Sequence, residues 1–224
     1  MAPTMTIILS ALAASASAGV IERAAACSSY TIIDTRGTGE LQGPSAGFQT
    51  MNSNIRSAVP GGKEYDTVYA ADASQDSTAG TTDIVNHIHS VLATSPNECF
   101  ILEGYSQGAA ATVNALPKLT GASFTAVKGV FLIGDPERKA GLACNVDQNG
   151  GTTTKNVNGL ETFGSGGIPS NWVSKTLDVC NYGDGVCDTT HGYGIDEQHL
   201  AYPTLTSVQT LGTTFVEGKL KGTS

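Results

Sequence analysis

Cys99-Phe100-Ile101-Leu102-Glu103-Gly104-Tyr105-Ser106-Gln107-Gly108-Ala109-Ala110-Ala111 decides how this chain folds. An apolar run of strand character leads into a glycine-flanked serine, and a run of small helix formers leads out of it. A serine on a tight turn between a buried strand and a helix is pushed out to where a substrate can reach it. The flanking glycines keep side chains out of the turn, and the helix start lends backbone N–H groups to a developing oxyanion. Five letters are weak on their own. The chain holds a second match, Gly43-Pro44-Ser45-Ala46-Gly47. No apolar strand leads into Ser45, and Pro44 removes a backbone donor and restricts its neighbours, so that match reads as a loop. Ser106 is the candidate nucleophile.

Outward from this turn, strand and helix patterns alternate. Strands are expected at Tyr30–Ile33, Tyr65–Ala71, Cys99–Tyr105, Val127–Ile133 and Thr176–Val179. Helices are expected at Gln49–Val59, Ser77–Leu92 and Gln107–Leu119, with a closing helix carrying Val208, Leu211 and Phe215. Leu142 to Asn171 is rich in Gly, Thr and Asn and reads as a long irregular segment. Such alternation gives a parallel sheet of about five strands with helices on both faces. Working residues then gather in loops at the carboxyl ends of the strands.

At 224 residues one domain is the default. Met5 to Ala18 is apolar, uncharged and closes on Ala16-Ser17-Ala18, a secretory signal with its cleavage site. Residues 1–18 are therefore expected to be removed, residues 19–26 to form a short propeptide, and residues 27–224 to form the mature domain. The signal run is too short to span a bilayer. A net charge of −8 and the lack of a basic cluster argue against nucleic acid and anionic membranes as partners. The five cysteines of a secreted chain imply disulfides with one thiol left over. Cys180 and Cys187 flank a turn-rich stretch and are expected to pair. Cys27 and Cys99 then tie the mature N-terminus to the strand entering the Ser106 turn, leaving Cys144 as a small buried thiol. A zinc site from Cys180, Cys187, His191 and His199 fits less well, because zinc favours shorter cysteine spacing.

A serine hydroxyl needs a base, and histidine titrates near neutrality. A carboxylate must hold the ring and stabilise the imidazolium. Asp184 lies inside the Cys180–Cys187 ring, which restricts it; the rival is Asp135, at the end of a central strand. His199 is far enough from the bridge to fold back over Ser106, whereas His191 is close to Cys187, and His87 and His89 lie off the apolar face of their helix, toward solvent. The order Ser106, Asp184, His199 is that of α/β-hydrolases. The Gln107 N–H is one oxyanion donor, and Thr38, in the loop after the first strand, offers N–H and hydroxyl as the other.

Taken together, Cys27, Thr35-Arg36-Gly37-Thr38-Gly39-Glu40, Gly104-Tyr105-Ser106-Gln107-Gly108, and Cys180 to Leu200 resemble the fungal cutinases, above all the cutinase-like polyester hydrolases. The resemblance spans about Cys27 to Leu220. It implies a small α/β-hydrolase with little or no lid, and an esterase acting on cutin-type and other aliphatic polyesters and short-chain acyl esters. It implies Ser106, Asp184 and His199 as the triad, and Thr38 with Gln107 as the oxyanion hole. It also implies the Cys27–Cys99 and Cys180–Cys187 bridges, and Ile195 and Leu200 as apolar lips, with Tyr105 beside them against substrate. It departs in carrying Thr38 where serine is frequent, and in the extra Cys144. No metal or organic cofactor is implied. A secreted monomer working on insoluble or emulsified ester is expected. The rivals are an acetylxylan esterase and a non-catalytic surface-binding protein.

Overall fold

The structure is a computed structural model describing Met1 and residues 26–223. The expected signal peptide and propeptide lie, Met1 and Ala26 apart, outside the described residues. A single parallel sheet of six strands carries the fold in the order β2-β1-β3-β4-β6-β5. The strands are β1 (Tyr30–Thr35), β2 (Gly62–Asp66), β3 (Cys99–Tyr105), β4 (Val127–Ile133), β5 (Asn145–Val146) and β6 (Thr176–Val179). The helices are α1 (Gln49–Ala58), α2 (Thr78–Thr94), α3 (Gln107–Ala115), α4 (Ala122–Ala126), α5 (Glu197–Leu200) and α6 (Thr206–Lys221).

The central strands are buried on both faces, and their alternate residues feed two cores. Ile33, Phe100, Leu102, Val130 and Leu132 pack with Ile84 and Ile88 of α2 and the alanines of α3. Ile32, Ile101, Phe131 and Ile133 point the other way, onto Met51 and Ile55 of α1 and Val208 and Val216 of α6. Helices on both faces leave only the carboxyl ends of the strands to build a site.

Four expectations need correction. The sheet has six strands rather than about five, because the irregular segment contributes the two-residue β5. That segment is tied to the sheet by buried Arg138, which donates to the carbonyls of Asp178 (2.7 Å) and Thr154 (3.0 Å). The second strand covers Gly62–Asp66, not Tyr65–Ala71. Beyond it, the Arg36 guanidinium takes the carbonyls of Thr67 (3.2 Å) and Tyr69 (2.6 Å), so those residues leave the ladder. α3 ends at Ala115 because Pro117 has no N–H to continue the α-helical bonds, and a 3-10 turn, Leu116–Lys118, follows. His87 does not face solvent freely; it is half-buried and stacks on Tyr65 with ring centroids 3.4 Å apart.

One row in the sheet is unusual. Asp66 of β2, Asp34 of β1 and Glu103 of β3 lie side by side in register. Glu103 is fully buried, and among the described residues neither of its oxygens has a hydrogen-bond partner. Asn52 of α1 is buried on the same side of the sheet, among the Met51 and Ile55 packing.

Candidate active site

Ser106 joins β3 to α3, as the residue before the helix, in a strained conformation, φ 56° and ψ −122°. Strain of this kind aims the side chain away from both elements. It also explains the glycines on either side. A Cβ on Gly104 would sit 2.6 Å from Ala109 Cα, and one on Gly108 would sit 2.0 Å from the Thr35 carbonyl oxygen. The turn closes only because neither position has a side chain.

Three side chains from distant parts of the chain meet here. His199 Nε2 lies 2.9 Å from Ser106 Oγ. Its Nδ1 lies 2.9 Å and 3.0 Å from the two oxygens of Asp184. All three are buried, Asp184 completely and His199 to all but 2%. A buried carboxylate must have donors. Asp184 Oδ1 accepts the Val186 N–H (2.9 Å), and Oδ2 accepts the Tyr202 hydroxyl (2.7 Å).

The chain around these groups is held by caps and by a covalent ring. Cys180 and Cys187 are joined, closing a ring with a sequence separation of 7 around Asp184. Both sulfurs are committed to that bridge, so the zinc reading lapses. Asp196 caps the short helix α5, accepting the His199 N–H (2.9 Å) on one oxygen and the Gly185 N–H (3.1 Å) on the other. One aspartate thus links the histidine segment to the carboxylate segment. The Tyr105 hydroxyl donates to the His199 carbonyl (2.8 Å), so Tyr105 steadies the segment that carries His199.

The oxyanion candidates also converge. Gln107 is the first residue of α3, and its N–H has no acceptor within the helix. The Thr38 hydroxyl lies 3.4 Å from Gln107 Oε1 and 3.2 Å from Gln75 Oε1. Arg36 and Glu40 shape the loop that carries it. Arg36 Nε donates to the Glu40 carbonyl (2.9 Å), while the Glu40 carboxylate accepts the N–H groups of Gly37 (2.6 Å) and Ala46 (2.7 Å).

Between them lies a cleft of about 210 Å³. Its lining includes Thr38, Ala46, Tyr105, Ser106, Ile195, His199, Leu200 and Pro203. Ile195 and Leu200 stand 59% and 62% exposed beside the histidine. Leu41, Val68, Leu160, Phe163, Tyr182 and Tyr193 also stand open, in loops downstream of strand ends.

The rivals fall elsewhere. His191 pairs with Asp188 (2.9 Å) and stacks on Tyr182, and His89 is exposed on α2. Asp135 caps a turn, its Oδ1 accepting the Glu137 N–H at 2.9 Å. Ser45 is buried, its hydroxyl 2.9 Å from the Glu40 carboxylate. Cys27 and Cys99 are joined, and Cys144 is a free, buried thiol whose pKa burial pushes up to about 12. Sequence reasoning missed Tyr202, Asp196, Arg36 and Glu40. Only Asp196 left a signal, an N-cap residue three positions before His199.

The cutinase family model matches residues 26–220. Cutinase 11 of Verticillium dahliae is 31% identical over 97% of this chain and 77% of its own length. A cutinase of Monilinia fructicola is 30% identical over 88% of this chain and 86% of its own. Among solved structures, a cutinase-like protein from Cryptococcus sp. superposes with a TM-score of 0.86 and 62% identity, covering 90% of this chain and all of that one. The catalytic core of a Trichoderma reesei acetyl xylan esterase matches with a TM-score of 0.71 at 25% identity, over 87% of this chain and all of its own. With a parallel α/β sheet, a serine on its strained turn and these relatives, the chain belongs to the cutinase family and is a carboxylic ester hydrolase.

Proposed function

We propose that this chain is a secreted, monomeric serine esterase that cleaves cutin-type and other aliphatic polyesters and short-chain fatty acyl esters through an acyl-enzyme. In this reading residues 1–18 are a signal peptide, residues 19–26 a short propeptide, and residues 27–224 the mature enzyme. The observation that carries the chemistry is the relay itself, with Ser106 Oγ 2.9 Å from His199 Nε2 and His199 Nδ1 2.9 Å from Asp184.

Ser106 Oγ attacks the ester carbonyl carbon as His199 Nε2 takes its proton. Asp184 holds the ring and balances the imidazolium. The carbonyl oxygen becomes an oxyanion and is met by the Gln107 N–H and by Thr38. The C–O bond to the alcohol then breaks, the alcohol leaving with the proton from Nε2. Water gives a proton to His199 and attacks the acyl carbon, and the acid departs as Ser106 regains its hydrogen.

Substrate class is supported by the cleft. Ile195, Leu200, Ala46 and Pro203 offer apolar surface to an acyl chain and little to a sugar. The chain's negative charge favours uncharged esters. Among the described residues no helix is long and apolar enough to cross a membrane. Ser106→Ala tests the reading. It is expected to stay folded and to lose essentially all turnover of p-nitrophenyl butyrate; near-native hydrolysis would remove Ser106 as nucleophile. Rates on an emulsified aliphatic polyester above those on acetylated xylan are expected of the same protein, and the reverse order would assign it to sugar esters.

A further inference from the structure

Tyr202 is completely buried, and its hydroxyl stands at the back of the relay. Two neighbours define which way its hydrogen points. The Asn181 N–H can only donate, and it lies 2.9 Å from the phenol oxygen. The phenol oxygen therefore accepts there, and its single hydrogen is free for Asp184 Oδ2, 2.7 Å away. The Val186 N–H meets the other carboxylate oxygen at 2.9 Å. One fixed donor on each oxygen stops the carboxylate from turning about its Cβ–Cγ bond. Both oxygens then face His199 Nδ1 at nearly equal distance, 2.9 Å and 3.0 Å.

We infer that Tyr202 is a positioning residue for ester hydrolysis: its hydroxyl locks the Asp184 carboxylate in the plane that holds His199 against Ser106. This rests on the triad proposed above. Tyr202 touches neither substrate nor the reacting atoms, and it acts through Asp184. Among the described residues it is the one side chain besides His199 that donates a nitrogen- or oxygen-bound hydrogen to Asp184. Burial, with the Asp184 charge beside it, pushes the Tyr202 phenol well above its ordinary pKa, so it stays a donor throughout the working range.

The test compares two hydroxyl deletions in the full chain. Tyr30 is equally buried and donates to the Val59 carbonyl (2.7 Å) near the opposite end of the sheet. Tyr30→Phe and Tyr202→Phe should both lower Tm modestly. Only Tyr202→Phe should lower kcat on p-nitrophenyl butyrate, by about tenfold, since a bond to a charged group is worth about a decade or more. KM should stay within about twofold. In an Asp184→Asn background, removing the hydroxyl should have no further effect on kcat. The inference is overturned if Tyr202→Phe keeps the kcat of Tyr30→Phe, or if its effect is undiminished without the Asp184 carboxylate. Tyr202→Leu, which also lacks the hydroxyl, gives the same readout should the Phe variant fail to fold. Near-native activity in Ser106→Ala or Asp184→Asn would instead refute the triad and leave this result to be read separately.

Discussion

Opening each disulfide ring in turn should separate stability from catalysis. The Cys27–Cys99 bridge closes a ring with a sequence separation of 72, and the Cys180–Cys187 bridge one of 7. Loop-closure entropy alone makes the long ring worth about 4.4 kcal/mol and the short ring about 2.5 kcal/mol. For a domain of this size these correspond to losses of about 9–18 °C and about 5–10 °C in Tm. Catalysis should fall in the opposite order. Cys99 begins β3 and Ser106 follows its last residue, roughly 20 Å away along the strand. Cys27→Ala/Cys99→Ala should therefore turn over p-nitrophenyl butyrate at the native rate below its lowered Tm. Cys180→Ala/Cys187→Ala frees the segment that carries Asp184 and should lose at least about tenfold in kcat while melting higher than the other variant. Differential scanning fluorimetry and initial rates at 25 °C read both quantities. Equal turnover in the two variants, or a reversed order of Tm, would refute the reasoning.

Gly108→Ala should be strongly damaging, because its Cβ would fall 2.0 Å from the Thr35 carbonyl oxygen and 2.5 Å from that of Arg36. A stability loss of about 3 kcal/mol or more by urea unfolding is expected, with weakened turnover as the Thr38 loop is pushed from Gln107; a near-native midpoint would count against the close approach. Stability should also fall at alkaline pH. Burial, the Asp34 and Glu64 charges push the Glu103 carboxyl well up, while the neighbouring Asn52 pulls it down less; Asp34 is raised by burial and by Glu64, Asp66 and Glu40 against the Ser45 N–H. Their folded pKa values exceed the unfolded ones, so the contribution is full below the unfolded carboxyl range and is lost as pH climbs through the folded values. Glu103→Gln should flatten the fall in Tm between pH 5 and 9 and raise Tm at the upper end; an unchanged slope would show that Glu103 does not hold its proton.

What could be read from the residues alone was whatever is local or periodic. The strand–Ser106–helix turn is contiguous, and the face of α2 repeats at helical spacing, so both were legible. Asp184 and His199 were legible because each lies close to a recognisable constraint, the cysteine pair and the strand-end loops. β5 was not, since two residues carry no period. The early end of β2 was not, because it is imposed by Arg36, a side chain some thirty residues away in the sequence. Tyr202 escaped for a similar reason. A lone tyrosine before Pro203 gives no hint that its hydroxyl turns inward to a carboxylate.

The uneven placement of open apolar side chains has a mechanical consequence. Ile195 and Leu200 stand open on the lining of the cleft itself, while the chain as a whole repels its copies with a charge of −8. At an oil–water boundary, the open Ile195 and Leu200 would enter the oil and draw the cleft they line, with Ser106 in it, against the boundary.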